Sequence, residues 1–257
     1  MNILVCLKQV PAKDAPLKLA PDAGWIRDDV TYETNEPDAF ALEAALRLKE
    51  AHGGEVAALT LGPARAAQVL REALAKGADR AIHVEGGEAH RLDAFAAAEA
   101  ITRAIAGQAF DLILTGLQSD DAGYGQTGVI LAELLGAPHA TIIMQIEPAG
   151  EKKVKVKREL ESGNFQFVTM PTPAVLTIQS GINKLRYATL MGIKQAKNKP
   201  LATARLDDLG VTPSLNRQQL LGLALPQKSK GTTLLPGSPK EQAATLLRHL
   251  RQDAHVL

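Results

Sequence analysis

The sequence predicts an α/β fold: a doubly wound, mostly parallel sheet with helices on both faces, a small antiparallel addition and an extended C-terminal arm. Three observations predict it. Short apolar runs alternate with amphipathic helical patterns as far as Gly136, closely spaced strand-like runs follow, and prolines break up the chain from about Asn183. We therefore expect an α/β domain over residues 1–182 and a loop with an extended arm over residues 183–257.

The alternation of strands and helices in the first half predicts where a ligand binds. Strand-length apolar runs cover residues 3–7, 55–61, 80–85 and 111–116, and helical patterns cover residues 38–51, 64–76, 93–106 and 126–135. Runs with so little polar interruption are typical of strands buried on both faces. Because parallel sheets of this kind bind ligands beyond the carboxyl ends of their strands, the loops after Leu7, Leu61 and Thr115 are the candidate site.

After Gly136 the spacing changes. The runs TIIMQIE, KKVKVKREL, NFQFVTM and AVLTIQ follow one another closely, with turn sequences PAGE and ESGN between them. This pattern predicts the antiparallel addition. Lys153, Lys155 and Lys157 alternate with two valines, which puts their charges on one face of a strand. A solvated face is favoured there over an anion-binding surface.

The last quarter of the chain predicts an arm with little core of its own. It contains five prolines at positions 200, 213, 226, 236 and 239. A final helix begins at SPKE, with Ser238 as N-cap, Pro239 at the first helical position and Glu241 completing a capping box. Such an arm needs a partner surface to offset its ordering entropy.

Composition excludes several function classes. The formal net charge is +1 and aromatic residues make up 4%, which argues against a nucleic-acid binder. The single cysteine, Cys6, excludes an intramolecular disulfide, and neither a cysteine pair nor H-E-x-x-H indicates a metal site. No apolar run approaches the length of a membrane span, so we expect no membrane insertion and a cytoplasmic or mitochondrial-matrix location.

The segment GYGQTG has the spacing G-x-G-x-x-G at Gly123, Gly125 and Gly128, with Glu147 about 20 residues beyond, as in a dinucleotide-binding loop. Its placement argues against that interpretation, because residues 117–122 separate the strand from the first glycine and include two aspartates. The loop of residues 118–126, ending in Thr127 at a helix start, suits one phosphate and an adenine ring held by main-chain donors. A surface loop without a ligand stays open as the alternative.

Several segments together resemble the beta subunit of electron transfer flavoprotein. They include ILVCLKQV, NEPDAFALEAALRLKE, ALAKGADRAIHVE, GLQSDDAGYGQTG and, most specifically, INKLRYATLMGIKQAKNKP. The resemblance covers nearly the whole chain. It implies a heterodimer with an alpha subunit that carries most of the FAD site, and an AMP bound in the beta subunit.

The resemblance also implies site residues. The AMP site would comprise Cys6, Asn35, Glu36, Pro37, Asp38, Leu61, Gly116, Leu117, Gln118, Ser119, Asp120, Asp121, Ala122, Gly123, Tyr124, Gly125, Gln126 and Thr127. The surface that recognises a partner dehydrogenase would comprise Arg186, Tyr187, Ala188, Thr189, Leu190 and Ile193, with Leu190 as the anchor. No residue of this chain is expected to be catalytic, because redox chemistry belongs to the flavin.

By the same resemblance, electrons would arrive from a flavin dehydrogenase of the acyl-CoA or amine type and leave to a quinone-linked acceptor. One departure from the family pattern is Leu185, which stands where a proline usually precedes RYATL. Three alternatives remain: an electron-bifurcating relative with a second FAD in place of AMP, a stand-alone nucleotide-binding protein, and an NAD-dependent protein.

Overall fold

The computed structural model describes residues 1–21, 24–87, 89–226 and 231–256. The chain divides into two compact units, Met1–Leu223 and Ala224–Leu257. The strands of the first unit are β1 Asn2–Cys6, β2 Gln9–Pro11, β3 Tyr32–Thr34, β4 Glu55–Gly62, β5 Arg80–Glu85, β6 Leu112–Gly116, β7 His139–Pro148, β8 Lys153–Glu159, β9 Phe165–Pro171, β10 Ala174–Ile178 and β11 Leu201–Arg205. Its helices are α1 Glu36–His52, α2 Ala67–Lys76, α3 Ala94–Ala104, α4 Thr127–Leu134 and α5 Leu190–Ala196.

One sheet of nine strands organises the described part of this unit, in the order β11-β5-β4-β1-β6-β10-β7-β8-β9. The pairs from β11 to β7 are parallel, whereas β7–β8 and β8–β9 are antiparallel. Strands β2 and β3 form a separate antiparallel pair. The predicted fold class is therefore confirmed. The chain goes from β1 outward to β4 and β5 and then returns to β6 on the other side of β1, which makes this point a topological switch.

Two hydrophobic clusters lie on opposite faces of the sheet. One contains the apolar side chains of α1 and α2 together with Ile3, Val5 and Leu112. The other contains those of α3 and α4 together with Leu4 and Ile113. Because neighbouring residues of β1 and β6 point alternately into the two clusters, these strands are buried on both faces, as their uninterrupted apolar runs predict.

The strands after Gly136 are arranged differently from the expectation. All four were expected in an antiparallel addition, but β10 lies between β6 and β7 and is parallel to both. Only β8 and β9 extend the sheet as antiparallel strands. The physical reason is burial: all five residues of β10 are buried, so this strand belongs to the middle of the sheet.

The segment after Asn183 also contributes to the first unit. Strand β11 pairs with β5 at the edge of the sheet, and Leu206 and Val211 are buried in the cluster beneath α3. Residues 183–223 therefore lie within the unit Met1–Leu223, whereas the sequence placed them in the arm.

The second unit contains helix α6, Pro239–Gln252. The Ser238 backbone N–H donates to the Glu241 carboxylate at 2.7 Å, as the capping box at SPKE predicts. Leu246 and Leu247 are exposed on this helix. Among the described residues, no helix combines the length and the hydropathy that crossing a membrane requires.

Candidate functional site

A cavity of about 700 Å³ lies at the carboxyl ends of β1, β4 and β6. This is the edge of the sheet to which the loops after Leu7, Leu61 and Thr115 belong, and it lies beside the topological switch point. Its volume is in the range of small-molecule sites.

Most of the residues predicted for the nucleotide site line this cavity. They are Cys6, Asn35, Asp38, Leu61, Gly116, Leu117, Gln118, Ser119, Ala122, Tyr124, Gly125, Gln126 and Thr127. The others, which are not among the lining residues, are Glu36, Pro37, Asp120, Asp121 and Gly123. Glu36 forms an ion pair with Lys13, and Pro37 is in the first turn of α1, close to Gly116. Asp120 is bonded to Asn35, Asp121 to Lys8, and Gly123 to Ser119 within the loop.

Asn35 holds the loop of residues 118–126 in place. Its Nδ2 donates to the Gln118 carbonyl at 3.0 Å, and its Oδ1 accepts from the Asp120 N–H at 3.0 Å. The Asn35 backbone N–H donates to the Lys8 carbonyl at 2.9 Å. Since Asn35 is buried and makes all three bonds, it connects the end of β1, the start of α1 and the loop.

Asp38 joins the ends of two neighbouring strands beneath the cavity. Its Oδ2 accepts from the Lys8 N–H at 2.7 Å and its Oδ1 accepts from the Gly116 N–H at 2.8 Å. A Cβ on residue 116 would lie 2.4 Å from that oxygen, so only glycine fits there. Burial raises the pKa of Asp38 to about 7, against the opposing effect of these hydrogen bonds.

Lys8 brings a cation to the same loop. Its Nζ donates to Asp121 Oδ1 at 2.6 Å and to Ser119 Oγ at 3.3 Å, and Lys8 itself lines the cavity. The sequence predicts main-chain donors at this loop and did not point to Lys8. A lysine directly after a strand that ends at the ligand edge was the available signal.

The three glycines of GYGQTG each have a backbone reason to be glycine. Gly123 and Gly125 have φ of 63°, which L-residues rarely adopt. Gly128 packs against the sheet: a Cβ there would lie 2.6 Å from Thr177 Cγ2 and 2.7 Å from Thr115 Oγ1. The G-x-G-x-x-G spacing thus reflects a tight loop and a close helix–strand contact.

The loop and the start of α4 suit an anionic group. The first N–H groups of an α-helix have no partner within the helix, and the Gln126 side chain makes no capping hydrogen bond to them. Gln126, Thr127 and Gly128 at this helix start line the cavity, and the helix dipole favours an anion there. The floor is apolar, with Leu59, Leu61 and Ile101. A phosphate at the helix and a flat ring on the floor fit this arrangement.

Cys6 faces the cavity as an unreactive side chain. Burial raises the pKa of its thiol well above the ordinary value, and the charge of Asp38 raises it further. The thiol therefore stays protonated, which agrees with a role in packing rather than in thiol chemistry.

The far wall of the cavity is formed by residues that sequence reasoning missed. They include Trp25, His90, Arg91, Asp93, Asn216 and Arg217. Asp93 is buried, and its Oδ2 accepts from the N–H groups of Arg217 and Gln218 at 2.5 and 2.8 Å. Its Oδ1 caps α3 through the Ala96 N–H. This carboxylate joins chain segments more than 120 residues apart, and a local pattern carries no signal for such a contact.

Glu147, the acid that supported a dinucleotide site, lies elsewhere. It is exposed on β7, where it pairs with Lys155 of β8 and accepts from Gln145 Nε2 at 2.5 Å. It is not among the residues that line the cavity. The geometry therefore offers no ribose-binding carboxylate at that position.

The residues predicted for partner recognition divide into two groups. Tyr187 is 94% exposed, Leu190 is 88% exposed and Ile193 also reaches solvent. Thr189 caps α5, since its Oγ1 accepts from the Gly192 N–H at 3.0 Å. Arg186 is directed inward instead, and its guanidinium contacts two glutamates of α1.

The sequence is similar to a protein family and to several known proteins. The family model for the electron transfer flavoprotein domain matches residues 24–209. The chain is 37% identical to the electron transfer flavoprotein subunit beta of Methylophilus methylotrophus, over 98% of both chains, and 36% identical to that of Bacillus subtilis, over the full length of both. It is 35% identical to the acryloyl-CoA reductase electron transfer subunit gamma of Anaerotignum propionicum, again over the full length of both chains.

Proposed function

This chain belongs to the beta subunits of the electron transfer flavoprotein family, and from that premise we propose that it binds AMP and forms a heterodimer with an alpha subunit. The heterodimer is an electron carrier, and FAD is held mainly by the alpha subunit. The flavin supplies the redox chemistry, while this chain supplies binding and orientation.

The observation that carries the AMP proposal is the cavity at the carboxyl ends of β1, β4 and β6, with its loop held by Asn35. The first N–H groups of α4 and the Thr127 hydroxyl would hold the phosphate. Leu59, Leu61 and Cys6 would contact the adenine ring, and the chain segment at Asn35 and Asp38 would support the loop. Lys8 offsets the charge of Asp121 so that a phosphate meets less repulsion.

The donor of electrons in this proposal is a flavin dehydrogenase of the acyl-CoA or amine type, and the acceptor is quinone-linked. Leu190 would be the anchor that inserts into an apolar pocket of the dehydrogenase, with Tyr187 beside it. Exposed apolar side chains near Lys194 and Lys197 have the composition of a binding hot spot with a charged rim. The location would be the bacterial cytoplasm or, in a eukaryote, the mitochondrial matrix.

The residues of the second unit complete the proposal. Helix α6 exposes Leu246 and Leu247, which gives it an apolar stripe for another surface. We assign that stripe to the alpha subunit.

The experiment is ligand identification. The chain is co-expressed with its alpha subunit, the purified heterodimer is denatured, and the released nucleotides are identified by mass and counted. One AMP and one FAD per heterodimer are expected. Recovery of NAD, or of no nucleotide besides FAD, would overturn the AMP proposal.

A variant connects the AMP to this cavity. Asn35→Ala removes the two hydrogen bonds that hold the loop, so the AMP content should fall while the FAD content stays the same. The matched control is Asn198→Ala, because Asn198 is exposed and is not among the residues that line the cavity. An equal loss of AMP in both variants would assign the effect to general destabilisation.

One observation favours a second candidate, the electron-bifurcating type with FAD in place of AMP. The cavity of about 700 Å³ extends to Trp25 and Arg217, which offer an aromatic and a planar cationic surface. Two FAD and no AMP per heterodimer would establish this alternative.

A further inference from the structure

Residues 183–186, which lead to the exposed Leu190, are bonded to one face of helix α1, and this face is the seat of the segment. Asn183 Nδ2 donates to the Phe40 carbonyl at 3.1 Å, and Arg47 Nη2 donates to the Lys184 carbonyl at 2.8 Å. The Arg186 N–H donates to Glu43 Oε2 at 3.3 Å. The Asn183 side chain, the Lys184 carbonyl and the Arg186 N–H are thus bonded to the backbone or to side chains of one helix.

Glu43 is the centre of this seat. It is 4% exposed, and its carboxylate accepts from Arg186 Nε at 2.7 Å and Nη2 at 3.2 Å. It also accepts from Arg47 Nε at 2.6 Å. Acidic side chains are almost never buried to this degree unless they are paired, and removal of one member leaves the others without compensation. Glu50 binds the same guanidinium from outside, where it is exposed.

Helix α2 fixes the other end of the segment. A Cβ at Gly192 would lie 2.2 Å from the Ala75 carbonyl oxygen, so α5 approaches α2 as closely as only glycine allows. Lys199 Nζ donates to the carbonyls of Leu74 and Ala78 at 2.9 and 2.7 Å, at the end of α2. Since α1 and α2 share one hydrophobic cluster, residues 183–186 and residues 192–199 are attached to the same layer of helices.

The exposed side chains that follow this seat are largely apolar. Tyr187 follows Arg186 directly, and Tyr187, Leu190 and Met191 are all exposed above the seat. An exposed anchor that is already held in its binding orientation loses less conformational freedom on association. Leu185, which stands at the position where a proline would restrict the backbone, lies between the two residues that α1 binds.

We propose that Glu43 is a positioning residue for recognition of the partner dehydrogenase: through Arg186 it fixes the orientation of residues 186–193, so that Leu190 is presented for docking. This inference rests on the proposed function, because it takes Leu190 as the docking anchor. Glu43 itself is buried under the segment and does not touch the partner.

The test uses the intact heterodimer with its cofactors. Glu43→Gln keeps the shape of the side chain and removes its charge. In steady-state assays with the flavin dehydrogenase, the KM for the heterodimer should rise about tenfold while kcat changes little, as for loss of a pre-organised anchor. The FAD and AMP contents should be unchanged, and amide hydrogen exchange should be faster in residues 184–193. The control is Glu50→Gln, the exposed partner of the same arginine, which should change the KM by less than about twofold.

A double variant separates positioning from a general structural effect. If Glu43 acts by orienting Leu190, Glu43→Gln should add little to the KM of a Leu190→Ala heterodimer, because the anchor is already absent. Full additivity would overturn the inference. Glu43→Asp, which keeps the charge on a shorter side chain, should raise the KM in the same direction and serves if the glutamine variant does not assemble.

The outcomes distinguish this inference from the proposed function. A raised KM for Leu190→Ala together with a normal KM for both Glu43 variants overturns only the positioning role of Glu43. An unchanged KM for Leu190→Ala removes the docking role of that leucine, and the positioning role with it.

Discussion

Lys8 Nζ and Asp121 Oδ1 lie 2.6 Å apart and join the end of strand β1 to the loop over the cavity. The Asp121 side chain is 10% exposed, so its charge is largely withdrawn from water. Burial raises the pKa of Asp121, but the charge of Lys8 and hydrogen bonds from Lys8, Ser119 and Ala122 outweigh that effect and hold it below the ordinary value. Asp121 therefore stays ionised, and Lys8 compensates its charge in the loop beside the cavity.

Lys8→Met should weaken AMP binding about tenfold, because the uncompensated carboxylate of Asp121 then opposes the phosphate. Equilibrium dialysis of AMP against nucleotide-free heterodimer measures the effect. Asp121→Asn in the same chain should restore much of the affinity, and Lys18→Met, at an exposed position, should leave it unchanged. Identical affinities for Lys8→Met and Lys18→Met would contradict this role for Lys8.

Asp38 should make stability depend on pH. Its pKa is about 7 in the folded protein and near 3.8 in the unfolded chain, so between these values the folded state retains a proton that the unfolded state has released. Its contribution to the free energy of unfolding therefore falls as pH rises from about 4 to 7, by an amount on the order of 3 kcal/mol.

The pH dependence can be isolated with Asp38→Asn, which does not titrate. The free energy of unfolding of wild type minus that of this variant should fall steadily as the pH of urea titrations is raised from 4.5 to 7.5. For Asn198→Ala, which alters an exposed side chain that does not titrate, the corresponding difference should stay nearly constant. Parallel curves for wild type and Asp38→Asn would show that Asp38 titrates normally.

Gly128→Ala should destabilise the first unit by about 1–3 kcal/mol, because its new methyl group meets Thr115 and Thr177 of adjacent strands. That cost outweighs the gain in helix propensity that alanine brings. Urea unfolding measures it. Gly222→Ala is the control, since no atom lies near its Cβ position and its φ is not positive. A stability equal to that of the control would mean that α4 can move away from the sheet at little cost.

Leu190→Ala should slow electron transfer from the dehydrogenase several-fold at low heterodimer concentration, since an exposed anchor contributes through association. AMP and FAD contents should not change, because Leu190 lies outside the cavity lining. Stopped-flow reduction of the heterodimer flavin by reduced dehydrogenase gives the rate. Leu17→Ala alters another exposed leucine and should have no effect. Equal rates for wild type and Leu190→Ala would rule out the anchor role.

Most elements of the first unit follow from local patterns in the sequence. The apolar runs at residues 3–7, 55–61, 80–85 and 111–116 correspond to β1, β4, β5 and β6 within one or two residues. Gly77 ends α2 with a positive φ, as its position after Lys76 predicts. Hydrophobic periodicity and helix-stop residues are short-range properties, so one sequence is enough to detect them.

The direction and neighbours of β7 and β10 did not follow from spacing along the chain. Closely spaced strands suggested hairpins, but β10 passes back to lie between β6 and β7. Its five residues AVLTI lack polar alternation, which is typical of a strand buried on both faces. That pattern is the local signal for a central parallel strand.

The sequence by itself determined the α/β class, the order of the main elements and the edge of the sheet at which the cavity opens, because these depend on periodicity and on the rule that parallel strands end together. Only the tertiary structure decided that Lys8 pairs with Asp121, that Asp93 holds Arg217, and that Arg186 turns inward to Glu43. Each of these pairs joins residues more than 100 positions apart. Their contacts arise from packing of the whole unit, so no short stretch of the chain encodes them.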